Sequence, residues 1–317
     1  MSANAGPVVA LAGGVGAARF LRGLVAAMPA DELVVIGNTG DDKNFYGVHV
    51  SPDLDIVIYT LAGVVHPERG YGLAGDRFTL VDALARFGHE TWFRLGDRDY
   101  ATCLHRTLRL RAGAGLSEVT DEIRRRFGLE LRILPMSEDP CPTLIELEGG
   151  RRSHFEDYLA RDGAPEDVCG VDLSAAAAAR PGPDVEETLR GARAILVCPS
   201  NPVVSIGPIL AVPGVREAIA ASAAPVVAVS PIVGGAPVKG PADRLLRAIG
   251  VEVSARGVAR HYGTLLGGFV LDQRDAAQAP DVKALGIQTR VIDTIMSSAD
   301  ASARLARATL ELAEALR

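Results

Sequence analysis

Aromatic side chains are scarce in this sequence, where they make up 5% of 317 residues. Hydrophobic residues nevertheless reach 48%, so valine, isoleucine, leucine and alanine must fill the core. Aliphatic composition of this kind is typical of parallel strands that are buried under helices. The length allows one large domain or two modest ones, and the composition favours an α/β protein.

Cysteine is rare as well. The four cysteines lie far apart without a C-x-x-C pair, at Cys103, Cys141, Cys169 and Cys198. Neither a zinc site nor a disulfide framework follows from this spacing, which is typical of a protein in a reducing compartment. We therefore expect a cytoplasmic protein. The six histidines have no ligand-like spacing either.

Long apolar runs are also missing. The longest ones fall short of a membrane span, and residues 7–12 are too short and lack the basic leader of a signal peptide. The net charge is −6. Arginines are dense around Arg106, Arg109, Arg111 and 124–126, and we interpret them as solvated helix faces because the overall charge disfavours a polyanion. We expect neither a membrane nor a nucleic acid as a partner.

The start of the chain contains a glycine turn between an apolar run and a helical pattern. Residues 7–12 are apolar, and Gly13-Gly14-Val15-Gly16 follows. Such a turn presents the N–H groups of a new helix to a phosphate, and we assign Gly14 and Gly16 to this role. The third glycine position of G-x-G-x-x-G holds Arg19, and no Gly-Lys-Ser/Thr follows, which excludes a Walker loop. Arg19 is either a fork-shaped donor to phosphate or a solvated residue beside a tight turn.

Predicted strands and helices alternate along the chain. Apolar runs predict strands at 33–36, 194–198, 225–232 and 268–272, whereas residues 55–61 fit a strand or a helix. This alternation predicts an α/β fold with a Rossmann-like, doubly wound and mostly parallel sheet. The core is expected in residues 1–96 and 191–317, separated by a smaller, mostly helical insert at 97–190, in which Gly149-Gly150 predicts a hairpin.

Polar loops follow several predicted strands, where ligands of open α/β sheets bind. The loop at 38–42 ends in the adjacent acids Asp41 and Asp42, whose mutual repulsion a bound Mg²⁺ would relieve. In the next segment, Asp53 and Asp55 alternate and can face one pocket if the chain is extended. For both loops the alternative is helix capping by Ser or Asp.

Three further loops carry polar or glycine-rich sequences. Residues 94–99 either form exposed ion pairs or hold a polar ligand. Asn201 and Ser205 lie in a proline-stiffened loop at 199–208 that suits a nucleobase or ribose, and residues 230–241 form a second anion-binding loop or a mobile connection. No Ser-His-Asp order or Cys-His pair stands out, which disfavours covalent nucleophilic catalysis.

Taken together, these segments resemble the 2-phospho-L-lactate transferase family. The resemblance runs from about residue 8 to 300 and rests on seven segments, at 13–21, 38–42, 51–55, 95–99, 134–137, 199–208 and 230–241. It implies a magnesium-dependent transfer of a phosphorylated three-carbon acid from a guanosine diphosphate-linked donor to the deazaflavin Fo (7,8-didemethyl-8-hydroxy-5-deazariboflavin), with release of GMP, in the biosynthesis of coenzyme F-420. The family resemblance also implies a homodimer.

The resemblance also implies roles for individual residues. Asp55 and Arg94 match the acid and base that bind the deazaflavin. Asp41 matches a metal ligand, with Asp42 or Asp53 as helpers, and Asp41 or Asp55 would orient the attacking hydroxyl or accept its proton. Residues 14–19 would face the donor diphosphate, with Asn201 and Ser205 near the guanosine.

Two other functions remain as alternatives. A non-catalytic regulator of the same superfamily that binds a sugar nucleotide has a similar start, but the segments at 52–55 and 95–99 favour the transferase. A Rossmann dehydrogenase is disfavoured by Arg19 and by the paired acids Asp41 and Asp42, where a single ribose-binding acid is expected. The acid on the donor (2-phospho-L-lactate, phosphoenolpyruvate or 3-phosphoglycerate) is left open, since one small group in a pocket changes binding by only about 1–3 kcal/mol.

Overall fold

The computed structural model describes residues 6–317, which form fourteen strands and thirteen α-helices. The strands are β1 (Val8–Ala12), β2 (Leu33–Gly37), β3 (Lys43–Phe45), β4 (Val48–Val50), β5 (Arg132–Pro135), β6 (Leu144–Leu147), β7 (Arg151–His154), β8 (Val168–Asp172), β9 (Ala194–Val197), β10 (Val226–Val229), β11 (Ile232–Val233), β12 (Ala236–Pro237), β13 (Gly268–Asp272) and β14 (Gln288–Ile292).

The helices connect these strands and cover the sheet. They are α1 (Gly14–Val25), α2 (Pro52–Leu61), α3 (Thr79–Ala85), α4 (Asp97–Arg111), α5 (Leu116–Arg126), α6 (Ser174–Ala178), α7 (Val185–Arg190), α8 (Ile206–Ala211), α9 (Val215–Ala221), α10 (Ala242–Ala248), α11 (Ala255–Tyr262), α12 (Ala279–Lys283) and α13 (Ala299–Ala315). None of those in the described range 6–317 is both long and apolar enough to cross a membrane.

Seven strands form a central sheet in the order β14-β13-β10-β9-β1-β2-β5, and every pairing is parallel. The chain runs outward from β1 through β2 to β5, returns to β9 beside β1, and then runs outward in the other direction. The strand order therefore reverses between β1 and β9, where doubly wound proteins form a ligand crevice. The predicted Rossmann-like, doubly wound fold is confirmed.

Aliphatic side chains pack on both faces of this sheet. All five residues of β1 are buried, and they alternate between two clusters because successive side chains of a strand point to opposite faces. Val8 and Ala10 pack in one cluster with Phe20 of α1, while Val9 and Leu11 pack in the other with Ile206 of α8. Both ends of β1 are thereby fixed, including the carboxyl end that leads into the glycine turn.

The segment at 97–190 combines parts of two sheets. Its strand β5 pairs with β2 and forms one edge of the central sheet, so the sheet takes one strand from the segment that the sequence assigns to the insert. The other strands, β6, β7 and β8, form a separate antiparallel sheet in the order β7-β6-β8. The predicted hairpin at Gly149-Gly150 joins β6 to β7.

Candidate functional site

The glycine turn lies at the point where the strand order reverses. Gly14 has a φ of +74°, a left-handed conformation that glycine adopts without steric cost. A Cβ added at Gly16 would lie 2.5 Å from the carbonyl oxygen of Pro199, so the start of α1 fits closely against the loop that follows β9. The Gly13 N–H donates to Ser200 Oγ at 3.3 Å, and this contact joins the loops after β1 and β9.

Asp53 belongs to the first turn of α2, and its carboxylate lies at the N-terminal end of α1. Its Oδ1 accepts from the Gly14 N–H at 2.7 Å, and its Oδ2 accepts from Asn38 Nδ2 at 2.9 Å. The same Asn38 amide donates to the carbonyl oxygen of Val204 at 3.3 Å. Loops after β1, β2 and β9 and the first turn of α2 therefore meet, and four of the polar segments that the sequence singled out come together.

Four carboxylates lie around this meeting point, and we call them the acid site: Asp41, Asp53 and Glu156, which are buried, and Asp42, which is half-buried. Burial, followed by repulsion from Asp53 and Glu156, raises the pKa of Asp41 well above its ordinary value. Burial also raises the pKa of Asp53 to about 6 and that of Glu156 to about 7. Acids that are forced together away from water in this way favour a bound cation.

Unpaired oxygen atoms in the acid site fit a metal ion such as Mg²⁺. Oδ1 of Asp41 and Oδ1 of Asp42 are buried without a hydrogen-bond partner within residues 6–317, as are the hydroxyls of Thr39 and Thr143. Hard oxygen ligands of this type suit Mg²⁺, which is usually held by one or two carboxylates together with water and substrate phosphates. Asp42 is positioned through its other oxygen, which accepts from Ser51 Oγ at 2.7 Å and contacts His49 Nε2 at 2.9 Å.

The acids of this site do not form one compact ligand set. Within the described chain, the one group of three whose ligand atoms all lie within 4.8 Å of one another is Asp55, Asp99 and Cys103. The guanidinium of Arg106 already neutralises that group, donating to Asp55 Oδ2 at 3.0 Å and to Asp55 Oδ1. The unpaired oxygens of Asp41 and Asp42 have no such side chain bonded to them within the described residues.

Asp55 and Arg94 do not contact each other. Asp55 is buried between α2 and α4, and both of its oxygens accept from Arg106. Arg94 is exposed, donates to Asp82 Oδ1 at 2.8 Å and lies 4.6 Å from the centre of the Phe78 ring. In this structure the residues that the family resemblance assigns to deazaflavin binding therefore occupy separate environments.

The remaining predicted residues lie at the crevice. Ser205 is buried against the glycine turn, because a Cβ added at Gly13 would lie 2.8 Å from the Cβ of Ser205. Asn201 Oδ1 accepts from the Val203 N–H at 2.9 Å and thereby shapes its own loop. Arg19 is half-buried on α1, near Gly70.

Sequence reasoning missed two residues of this region. The interpretation of Arg106 as part of a solvated face is wrong, because the residue is 0% exposed. Its spacing from Asp99 and Cys103 on one helix face is the available signal. Glu156 follows β7 and reaches the acid site through the separate antiparallel sheet. No local motif marks it, since its position depends on long-range packing.

Comparison with known proteins shows the family to which this chain belongs. The model of the family "2-phospho-L-lactate transferase CofD" matches residues 8–301. A phosphoenolpyruvate transferase from Kitasatospora aureofaciens is 48% identical over 98% of each chain, and a 2-phospho-L-lactate transferase from Methanopyrus kandleri is 40% identical over 96% of this chain and 97% of its own. A solved structure of a UPF0052-family protein from Bacillus halodurans has a TM-score of 0.65 at 19% identity, covering 98% of this chain and 100% of that one.

Fold and site together define a Rossmann-like α/β protein whose polar residues gather where the strand order reverses. The chain belongs to the 2-phospho-L-lactate transferase CofD family, and the resemblance seen in the sequence is confirmed. The structural likeness to the Bacillus halodurans protein supports the fold alone.

Proposed function

We propose that the protein transfers a phosphorylated three-carbon acid from a guanosine diphosphate-linked donor to the deazaflavin Fo, releasing GMP, in coenzyme F-420 biosynthesis. The observation that carries this proposal is the convergence of the glycine turn, Asn38, Asp53 and the loop at 199–208 at one crevice. Six relatives named phosphoenolpyruvate transferase are 40–48% identical, and we therefore propose phosphoenolpyruvate as the acid.

The donor would bind across the crevice. Its diphosphate faces Gly14 and Gly16 at the N-terminal end of α1, where N–H groups and the helix dipole favour an anion. Its guanosine lies against the loop that carries Asn201 and Ser205. Because Asp53 accepts from the Gly14 N–H, it also sets the edge of this phosphate position.

Magnesium would be held by Asp41 with Asp42 or Asp53, where it would neutralise diphosphate charge and stabilise the leaving phosphate. One oxygen of Asp41, the unpaired Oδ1, would face the metal, and the other oxygen accepts a hydrogen bond from the ribityl hydroxyl of Fo and orients it toward the phosphorus that carries the three-carbon acid. A bond forms between that oxygen and the phosphorus, the bond from phosphorus to GMP breaks, and the hydroxyl proton passes to Asp41. Positioning and charge neutralisation supply the rate enhancement in such transfers.

Asp55 has a different role in this proposal. Its two oxygens are occupied by Arg106, so it holds the first turn of α2, and with it Asp53, in place. Arg94 lies at the rim with the Phe78 ring, where a cation beside an aromatic face suits a planar ligand such as a deazaflavin.

The test is to incubate the purified protein with Fo, Mg²⁺ and each of the three guanosine-linked donors, following Fo consumption and GMP release by chromatography. We expect conversion with the phosphoenolpyruvate donor and none in the reaction without magnesium. Nucleotide binding without any binding of Fo would contradict the transferase and favour a nucleotide-binding regulator. The homodimer and the cytoplasmic location remain predictions, to be checked by light scattering and by cell fractionation.

A further inference from the structure

Three basic side chains lie together beside the start of α1, and we call them the basic cluster: Arg19, Arg69 and Lys239. Lys239 follows β12, Arg69 lies in the connection between α2 and α3, and Arg19 is on α1. Lys239 Nζ donates to the carbonyl oxygen of Arg69 at 3.1 Å, joining residues 170 positions apart. A Cβ added at Gly70 would lie 3.9 Å from Arg19 Nη2, so the Arg69–Gly70 backbone lies between two cationic groups.

The basic cluster has no acidic partner. Within residues 6–317, no carboxylate lies within 4.0 Å of a side-chain nitrogen of any of its three members. Arg19 and Arg69 are half-buried, and Lys239 is exposed. Partial desolvation and the charge of Arg19 lower the pKa of Lys239. Cations that are brought together without a counter-charge are stabilised when an anion binds between them.

Aromatic rings hold part of the cluster in place. The Tyr71 ring centre lies 5.7 Å from Lys239 Nζ and 5.9 Å from the Arg69 guanidinium, and the Phe78 ring lies 5.5 Å from the same guanidinium. Such contacts orient the cations but leave their charge uncompensated. The cationic side chains are thus positioned before any ligand binds.

The cluster lies where the far end of the donor would extend. A Cβ added at Gly70 would also lie 2.9 Å from Cγ1 of Val15, the residue that follows Gly14 in the turn. The α1 side of the sheet packs Ala17, Ala18 and Leu73 together, whereas the loop at 199–208 packs Val203 and Val204 on the opposite side. A donor with its diphosphate at the glycine turn and its guanosine at the latter loop extends its remaining group toward the basic cluster.

We infer that the basic cluster binds the carboxylate of the donor's three-carbon acid and thereby selects donors that carry one. This inference rests on the proposed function. Arg19 and Arg69 offer planar forks that match a carboxylate, and Lys239 adds a compact charge. No covalent step is involved, and Lys239 and Arg69 act through binding alone.

Calorimetric titrations of the full-length protein with three probes test the inference: GDP, its enolpyruvate ester and its propyl ester, which lacks the carboxylate. We expect the unmodified protein to bind the enolpyruvate ester about ten- to a hundredfold more tightly than the propyl ester, the range for one charged hydrogen bond. Lys239→Gln should bring this ratio close to one without changing the Kd for GDP. Arg69→Gln should act in the same direction, which provides a second variant if the first is unstable.

Lys283→Gln is the matched control, because Lys283 is an exposed lysine on α12, a helix that contains no member of the basic cluster. This variant should keep the full preference for the enolpyruvate ester over the propyl ester. The inference is overturned if the unmodified protein shows no preference for the carboxylate, or if Lys239→Gln weakens GDP and both esters equally, which would place the cluster on the diphosphate. Failure of the unmodified protein to bind GDP or either ester would instead contradict the proposed function itself, and the inference with it.

Discussion

Two groups of acids meet at α2, which contributes Asp53 to one group and Asp55 to the other. They differ in whether the protein itself supplies a neutralising cation. Among the described residues, the hydrogen-bond partners of the acid site (Asp41, Asp42, Asp53 and Glu156) include no basic side chain except His49 on Asp42. The second group, which we call the paired cluster, consists of Asp55, Asp99, Tyr59 and Arg106, and the guanidinium of Arg106 lies inside it.

This difference separates the binding role that we propose for the acid site from the structural role of the paired cluster. In the acid site, buried oxygens without partners increase the energy of the unliganded state and favour a cation from solution. In the paired cluster, the protein supplies the cation from α4, and the result is a fixed distance between α2 and α4. Since Asp53 and Asp55 are two residues apart on α2, the paired cluster determines where Asp53 meets the glycine turn.

Removing the cation from the paired cluster should give the largest effect. Arg106→Met leaves the carboxylate of Asp55 buried and unpaired, and loss of one partner of a buried pair costs about 3–5 kcal/mol. The measurement is the free energy of unfolding in urea. Arg126→Met, at an exposed position on α5, is the control and should change stability by less than about 0.5 kcal/mol.

The same comparison can be sharpened with a double variant. Arg106→Met combined with Asp55→Leu removes both charges, and apolar replacement of a buried pair is often close to neutral. Most of the lost stability should therefore return. If the double variant were as unstable as Arg106→Met alone, the loss would come from packing rather than from an unpaired charge.

Removing one acid from the acid site should have the opposite consequence for stability. Asp41→Asn relieves burial and repulsion of a carboxylate whose pKa is raised well above its ordinary value, so the free energy of unfolding should not fall. Transfer to Fo should fall by about a hundredfold or more, because the proton acceptor and a metal ligand are lost together. Full activity with unchanged magnesium dependence in this variant would exclude both roles of Asp41.

The paired cluster should also make stability depend on pH. Burial, followed by repulsion from Asp55, raises the pKa of Asp99 to about 7. Between about pH 4 and 7 the unfolded chain loses this proton while the folded chain retains it, so the unfolded state gains stability as the pH rises. Asp99 should therefore lower the free energy of unfolding progressively over this range, with no further loss above about pH 7.

We would measure the free energy of unfolding of the unmodified protein and of Asp99→Asn from pH 4 to pH 8. The difference isolates the contribution of Asp99, because both proteins contain the acid-site carboxyls whose pKa values are raised. The two curves should diverge by about 4 kcal/mol, with the variant more stable at the upper end. Parallel curves over the whole range would show that Asp99 titrates as an ordinary carboxyl in the folded protein.

Much of the fold follows from local patterns, because a buried aliphatic run next to a turn specifies a strand wherever both faces of a sheet are covered. The runs at 33–36, 194–198 and 268–272 correspond to β2, β9 and β13. Residues 55–61 were ambiguous in the sequence since they are apolar at almost every position. Tertiary packing decides the matter: Pro52 starts α2, and most of the helix is buried.

Within the site, the sequence predicts residues that turns and strand ends bring together, such as Gly14, Asn38 and Asp53. Burial of a charged residue in a helix depends instead on what packs above it. Arg106 and Arg109 lie three residues apart on α4, yet Arg106 is buried against Asp55 whereas Arg109 pairs with Glu122 at the surface. Glu156 depends on how the β6–β8 sheet packs against the loop after β2, and no local pattern encodes that contact.

The smallest expected effect concerns Glu156, and it tests how far the acid site extends. Glu156→Gln keeps the size of the side chain and removes one negative charge beside Asp41, whose pKa it raises by repulsion. If Glu156 supports the ion through its charge beside the metal ligands, the apparent Kd for Mg²⁺, titrated in the presence of GDP, should increase by about tenfold, as for other groups outside the direct ligands.

The control is Asp162→Asn, at the end of the π-helical turn Asp157–Arg161 that follows Glu156, because it removes the same charge nearer the surface. Equal magnesium affinity in the two variants would restrict the acid site to Asp41, Asp42 and Asp53, and the contrast with the paired cluster would then rest on the loop after β2 and the start of α2 alone.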